Sequence, residues 1–89
     1  MGQVELSIII INYKTPTLTL QCLESIYSNT TNVKFEVIVV DNFSEDNIFD
    51  LIRRKFPETK CIQMNYNSGF ARANNVGIKE SCGDYILFL

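Results

Sequence analysis

The sequence predicts an α/β fold built on a parallel sheet, and three observations carry that reading. Four short apolar runs alternate with three stretches of helical periodicity, in the order β-α-β-α-β-α-β. The first run lacks polar alternation, as a strand buried on both faces should. At 89 residues, 46% of them hydrophobic and 20% charged, the chain has the composition of one globular domain rather than a disordered segment. Right-handed crossovers between such strands give the front half of a doubly wound, Rossmann-like fold, with strand order 3-2-1-4 expected.

The first strand is expected over 4–11, ending in Ile8-Ile9-Ile10-Ile11. Thr15-Pro16 reads as a helix start. The threonine hydroxyl is suited to capping free N–H groups, and a proline at the first helical position gives up a donor that has no partner there. Leu20, Leu23 and Tyr27 then fall on one face, with Cys22 and Ile26 beside it. The periodicity fades at Asn29-Thr30-Thr31-Asn32. The second strand is expected over Phe35–Val40, ending at Asp41.

Ser44 reads as the cap of a second helix, with Glu45 and Asp46 at its positive end and Arg53-Arg54-Lys55 in its last turn. That placement accounts for the one basic run without a ligand, and Pro57 ends the helix. Lys60–Met64 is a short third strand, followed by a turn-rich loop over Asn65–Gly69. A third helix is expected over 70–81, rich in small residues (Ala71, Ala73, Gly77) that permit close approach to a sheet. Cys82-Gly83-Asp84 turns the chain into a fourth apolar strand, Tyr85–Leu89.

Composition excludes several functions. The chain has no histidine, so no imidazole base or imidazole metal ligand is available. A net charge of −2 argues against a general nucleic-acid surface. Three scattered cysteines, Cys22, Cys61 and Cys82, with no C-x-x-C, read as reduced thiols in small core positions, which points to a cytoplasmic protein. No secretory leader is legible at the N-terminus, so the Asn29 and Asn42 sequons are read as chance. The longest apolar runs fall far short of a membrane span.

In open parallel sheets, ligands bind beyond the carboxyl ends of the strands. Three segments are expected there: Asn12-Tyr13-Lys14-Thr15, Asp41-Asn42-Phe43-Ser44 and Asn65–Gly69. They offer an aromatic face, a carboxylate, amides and a glycine ahead of a helix N-terminus, a set suited to a planar base joined to a phosphate. Loop Asn, Asp and Gly are also ordinary turn formers. The first strand is not followed by G-x-G-x-x-G, and there is no G-x-x-x-x-G-K-[ST], which argues against dinucleotide dehydrogenases and P-loop NTPases.

The runs Ser7–Lys14, Val39–Asp46, Asn67–Gly77 and Gly83–Leu89 together resemble the opening of an inverting family 2 glycosyltransferase of GT-A fold. The V-V-D-N-x-S and N-x-G-F-A patterns resemble its rhamnosyltransferase-like subgroup. The resemblance covers essentially the whole chain. It implies a nucleoside-diphosphate sugar as the partner, with Asn12, Tyr13, Thr15, Asp41, Asn42, Asn67, Gly69 and Phe70 as nucleotide-binding positions. Tyr13 would pack on the base, Asp41 would meet the base or ribose, and the Asn67–Asn75 block would flank the ribose and diphosphate. Arg72 is read as a solvated helix residue and Asp84 as structural.

The same resemblance implies a divalent cation, manganese or magnesium, in a full-length enzyme, held by an acidic motif directly after the fourth strand. The 89 residues stop before that motif and before any catalytic base. The chain is therefore expected to be the truncated nucleotide-binding part of a longer transferase, inactive alone and binding no cation of its own. The longer protein is expected to be peripheral to the inner face of the membrane and to serve polysaccharide or cell-envelope biosynthesis. The exposed fourth strand is expected to favour dimerisation. The alternative is a non-catalytic α/β module that binds a nucleotide or a protein partner. A nucleotidyltransferase is disfavoured, because no basic Gly-rich loop follows the first strand.

Overall fold

The computed structural model describes residues 3–89. Its elements are β1 (Leu6–Asn12), α1 (Pro16–Asn29), β2 (Phe35–Asp41), α2 (Ile48–Lys55), β3 (Lys60–Gln63), α3 (Phe70–Glu80) and β4 (Tyr85–Phe88). The strands form one parallel sheet in the order β3-β2-β1-β4, as the pattern predicts. In the register, Asn12 at the end of β1 stands beside Asp41 at the end of β2, and Asp41 beside Gln63 at the end of β3.

The absence of alternation in β1 and β2 has a direct physical reason. Successive side chains point to opposite faces of a strand, and both faces of this sheet are covered. Ile8, Ile10, Val37 and Val39 face α1 and α2, where they pack with Leu23, Ile26, Ile48 and Ile52. Ile9, Ile38 and Val40 face α3 and pack with Ala73. The α1–α2 side is further fixed by Tyr27, whose ring stacks on Phe56 at 5.5 Å and whose hydroxyl lies 2.8 Å from Thr59 Oγ1. On the other side α3 lies close to the sheet at Gly77, where an added Cβ would come within 2.8 Å of Ile9 Cγ2.

Four sequence expectations need correction. β1 begins at Leu6 rather than at residue 4. Thr15 occupies the N-cap position of α1, but its hydroxyl makes no capping bond; it donates instead to Asn12 Oδ1 at 3.4 Å. α2 does not start behind Ser44. It starts at Ile48, after Asn47, because Ser44 is committed to Asp41 and both Glu45 and Asn47 take left-handed backbone angles that a helix does not tolerate. Lastly, the cysteines are not all core residues, since Cys22 and Cys61 are half-buried and Cys82 is exposed. The basic run Arg53–Lys55 does sit in the last turn of α2, as expected.

Candidate functional site at the carboxyl ends of the strands

The parallel register brings the ends of β1, β2 and β3 into one row, and a buried polar junction joins them. Asn12 is wholly buried. Its Nδ2 donates to Asp41 Oδ1 at 2.8 Å, with Ser44 Oγ and Asp46 Oδ2 each at 3.0 Å. Its Oδ1 accepts from Thr19 Oγ1 at 2.8 Å. A buried amide must find such partners, and the junction supplies them for both ends of the group.

Asp41 is 3% exposed. Its Oδ1 accepts from Asn12 and from the Ser44 hydroxyl; its Oδ2 accepts from the Ser44 N–H at 3.2 Å and from Gln63 Nε2 at 2.9 Å. Burial pushes the carboxyl pKa up, but the bonds from Ser44, Asn12 and Gln63 together outweigh it and hold the group below its ordinary value. Asp41 is therefore an ionised acceptor at neutral pH, with its lone-pair directions already filled within the chain.

Asn42 extends the junction to the loop before α3. It is buried, donating from Nδ2 to Asn67 Oδ1 at 3.0 Å and accepting at Oδ1 from the Ser68 N–H at 2.9 Å. Asn67 Oδ1 also accepts from the Gly69 N–H at 3.2 Å. Gly69 takes φ +84°, which sets the direction in which α3 leaves the loop. The first turn of α3 carries no side-chain cap, so its leading N–H groups face outward at the positive end of the helix.

The eight sequence-derived positions thus divide into two groups. Asn12, Asp41, Asn42 and Asn67 are drawn together as the framework of the junction. Tyr13, at 39% exposure, and Phe70, at 63%, project from it, with Thr15 and Gly69 also exposed. The Lys14 ammonium lies 5.3 Å from the Tyr13 ring centroid, and Arg72 Nη1 donates to the Tyr66 hydroxyl at 3.2 Å. Three participants were missed by sequence reasoning: Gln63, Thr19 and Asp46. The parallel register is the signal that could have found Gln63, since it aligns the last residue of β3 with Asp41.

The residues present do not fit a metal centre. Among those described, no three His, Cys, Asp or Glu side chains converge to hold an ion. Among the described residues, no helix is long and apolar enough to cross a membrane.

With its parallel sheet in the order β3-β2-β1-β4, the chain matches the N-terminal regions of GT-A glycosyltransferases in fold. S. aureus TarS 1–349, in crystals with UDP-GlcNAc and with UDP, superposes with a TM-score of 0.84 at 28% and 27% identity, over 97% of this chain and about a quarter of TarS 1–349 (26% and 27%). The chain belongs to glycosyl transferase family 2, whose profile matches residues 7–89. An uncharacterised glycosyltransferase of Rickettsia bellii is 43% identical over 96% of the chain, which spans 12% of that relative. The UDP-Glc:alpha-D-GlcNAc-diphosphoundecaprenol beta-1,3-glucosyltransferase WfaP of Escherichia coli is 37% identical over 93% of the chain, here 33% of the relative. A poly(ribitol-phosphate) beta-glucosyltransferase of Bacillus spizizenii is 33% identical over 96% of it, 14% of the relative.

Proposed function

We propose that this chain is the nucleotide-binding part of an inverting glycosyltransferase that uses a nucleoside-diphosphate sugar, and that it falls in the rhamnosyltransferase-like subgroup. The observation that carries the reading is the junction of Asn12, Asp41, Asn42 and Asn67, which ties the ends of β1 and β2 to the loop before α3 while Tyr13 and the first N–H groups of α3 stay open. Tyr13 then offers a stacking face to the base, and the α3 N-terminus offers donors and positive potential to the diphosphate. The UDP and UDP-GlcNAc bound to TarS and the UDP-Glc named for the E. coli relative favour a uridine nucleotide.

In the whole enzyme an acceptor hydroxyl, deprotonated by a carboxylate base outside these 89 residues, attacks the anomeric carbon. The bond to the diphosphate oxygen breaks, and the nucleoside diphosphate leaves. A divalent cation held by that other part would neutralise the leaving charge. The sugar is hexosyl or rhamnosyl, and the whole protein acts from the cytoplasm at the inner membrane face. β4, an exposed apolar edge strand, pairs with a second copy at high concentration.

Calorimetric titration with UDP, thymidine diphosphate and ATP tests the binding reading. The expected result is uridine or thymidine selectivity with an affinity no better than high micromolar, about −4 to −6 kcal/mol. Tighter binding of ATP than of either pyrimidine diphosphate overturns it. Incubation with labelled nucleotide sugars, manganese and acceptors should release no nucleoside diphosphate above the no-protein rate.

A further inference from the structure

Four donors fill the Asp41 carboxylate, but they are not equivalent. Asn12 Nδ2, the Ser44 hydroxyl and the Ser44 N–H are buried parts of the fold. The fourth, Gln63 Nε2, belongs to an exposed residue at the end of β3. Gln63 also has a second acceptor within reach, the Met64 carbonyl oxygen at 3.0 Å, so its amide can leave Asp41 and keep a partner. A cleft of about 160 Å³ opens beside both residues, lined also by the acidic Glu45, Asp46 and Asp50 and by Asn47, Ile48 and Phe49, so the group that reaches Asp41 is an uncharged hydrogen-bond donor and not the diphosphate. Because Asp41 and Gln63 line this cleft together, a group seated in it lies beside the pair.

We propose that Gln63 is a displaceable gate on Asp41, holding Oδ2 in the free protein and yielding it to an N–H or O–H donor of a bound nucleotide. The inference rests on the nucleotide-binding reading above. An ionised carboxylate can only accept, so the ligand must bring a hydrogen: the ring imide N–H of a pyrimidine base or a ribose hydroxyl. Each binding event then exchanges one hydrogen bond to a charged oxygen for another. The gate lowers affinity for every ligand and rejects those that present only acceptors to Asp41, because they would leave Oδ2 unpaired. Gln63 acts through Asp41 as a positioning residue.

The test is NMR titration of the full chain and of Gln63→Ala and Gln63→Met, both at an exposed position, with UDP, N3-methyl-UDP and 2′,3′-dideoxy-UDP. Both variants should bind UDP about three- to tenfold more tightly than the parent, the size expected for removing a competing hydrogen bond. The gain should vanish with the analogue that lacks the hydrogen Asp41 accepts. In the free variants the Asp41 carboxyl should titrate at higher pH than in the parent, a change that needs no ligand to be seen. Equal UDP affinity in parent and variants overturns the gate, as does a gain that survives on both analogues. An unmoved Asp41 titration does the same. If no form binds any nucleotide while the Asp41 titration shifts, the nucleotide-binding reading fails and the gate falls with it.

Discussion

The two ends of β2 each carry a carboxylate locked into a polar cluster, and the clusters differ in what they leave over. At the carboxyl end, Asp41 sits in the junction with Asn12, Ser44 and Gln63, and loops with exposed aromatic side chains radiate from it. At the amino end, Glu36 Oε2 accepts from Ser7 Oγ at 2.6 Å and from the Cys82 N–H at 2.7 Å, and Lys60 Nζ lies 2.8 Å from Oε1 as an ion pair without hydrogen-bond alignment. Gly83 closes that clamp by donating its N–H to Ser7 Oγ at 2.8 Å. The amino-end cluster ties β4 to β1 and β2; Tyr85 is exposed beside it, but no helix N-terminus opens there. The comparison teaches that a buried, ionised carboxylate is not by itself a sign of a site. What marks the carboxyl end is the α3 N-terminus without a side-chain cap, with Tyr13 and Phe70 exposed near it.

That contrast can be broken most forcefully at Asn12. Asn12→Ala removes the donor to Asp41 and the acceptor for Thr19 in one step, leaving both buried and short of a partner. We expect a loss of about 3 kcal/mol in chemical denaturation and a fall of roughly 10–20 °C in Tm for a domain this size. A loss below the size of one ordinary hydrogen bond would show that the junction is ornamental.

Glu36 should matter next, and its effect should depend on pH. Burial would raise its pKa, but the Lys60, Ser7 and Cys82 contacts bring it down to about 2 from an ordinary 4.5. A depressed folded pKa contributes stability above the unfolded value, and that stability is lost as pH falls from about 4.5 through about 2. Lys60 is half-exposed, so solvent screening brings the contribution at neutral pH down to about 2 kcal/mol. Glu36→Gln should cost that amount at pH 7 and flatten the acid limb of the stability curve. Asp41, also depressed, should supply the acid dependence that remains.

Gly83→Ala probes the same clamp by sterics alone. Its Cβ would meet the Ser7 backbone N at 2.7 Å, and a backbone atom cannot step aside. The expected cost is about 1–3 kcal/mol, concentrated in β4. Hydrogen exchange should therefore quicken at Tyr85–Phe88 and stay slow in β2. The smallest effect on stability, within about 0.5 kcal/mol, is expected for Tyr13→Ala, because the ring is exposed. The same change should weaken nucleotide binding by about fivefold or more, through loss of a stacking face. Tyr13→Ala thus separates binding from folding, where Asn12→Ala mixes the two.

Much of the fold was legible because apolar runs and helical periodicity are local signals. The unbroken Ile8–Ile11 run announced a strand covered on both faces, and the small residues of α3 announced its close approach to the sheet. The polar clusters were not legible to the same degree. Ser44 and Thr15 carry the side chains of helix caps, yet each is drawn to a buried partner, Asp41 for one and Asn12 for the other. Local sequence favours a cap; tertiary burial of Asn12 and Asp41 offers the hydroxyls a more demanding acceptor. Glu36 and Cys82 lie 46 positions apart and meet only because β4 returns beside β1. In the same way the site segments were identified by their position at strand ends, whereas the burial of Asn12, Asp41 and Asn42 in one hydrogen-bonded framework required the register.

The central claim is that the carboxyl end of the sheet binds the nucleotide and the amino end only holds the sheet together. Backbone chemical-shift mapping with UDP tests it most directly, with ATP as the control. The account predicts UDP-dependent shifts confined to Asn12–Thr15, Asp41–Ser44, Gln63 and Asn67–Phe70, with Ser7, Glu36, Lys60, Cys82 and Gly83 unmoved. Shifts centred on the Glu36 clamp, or spread evenly over both ends of β2, would contradict it.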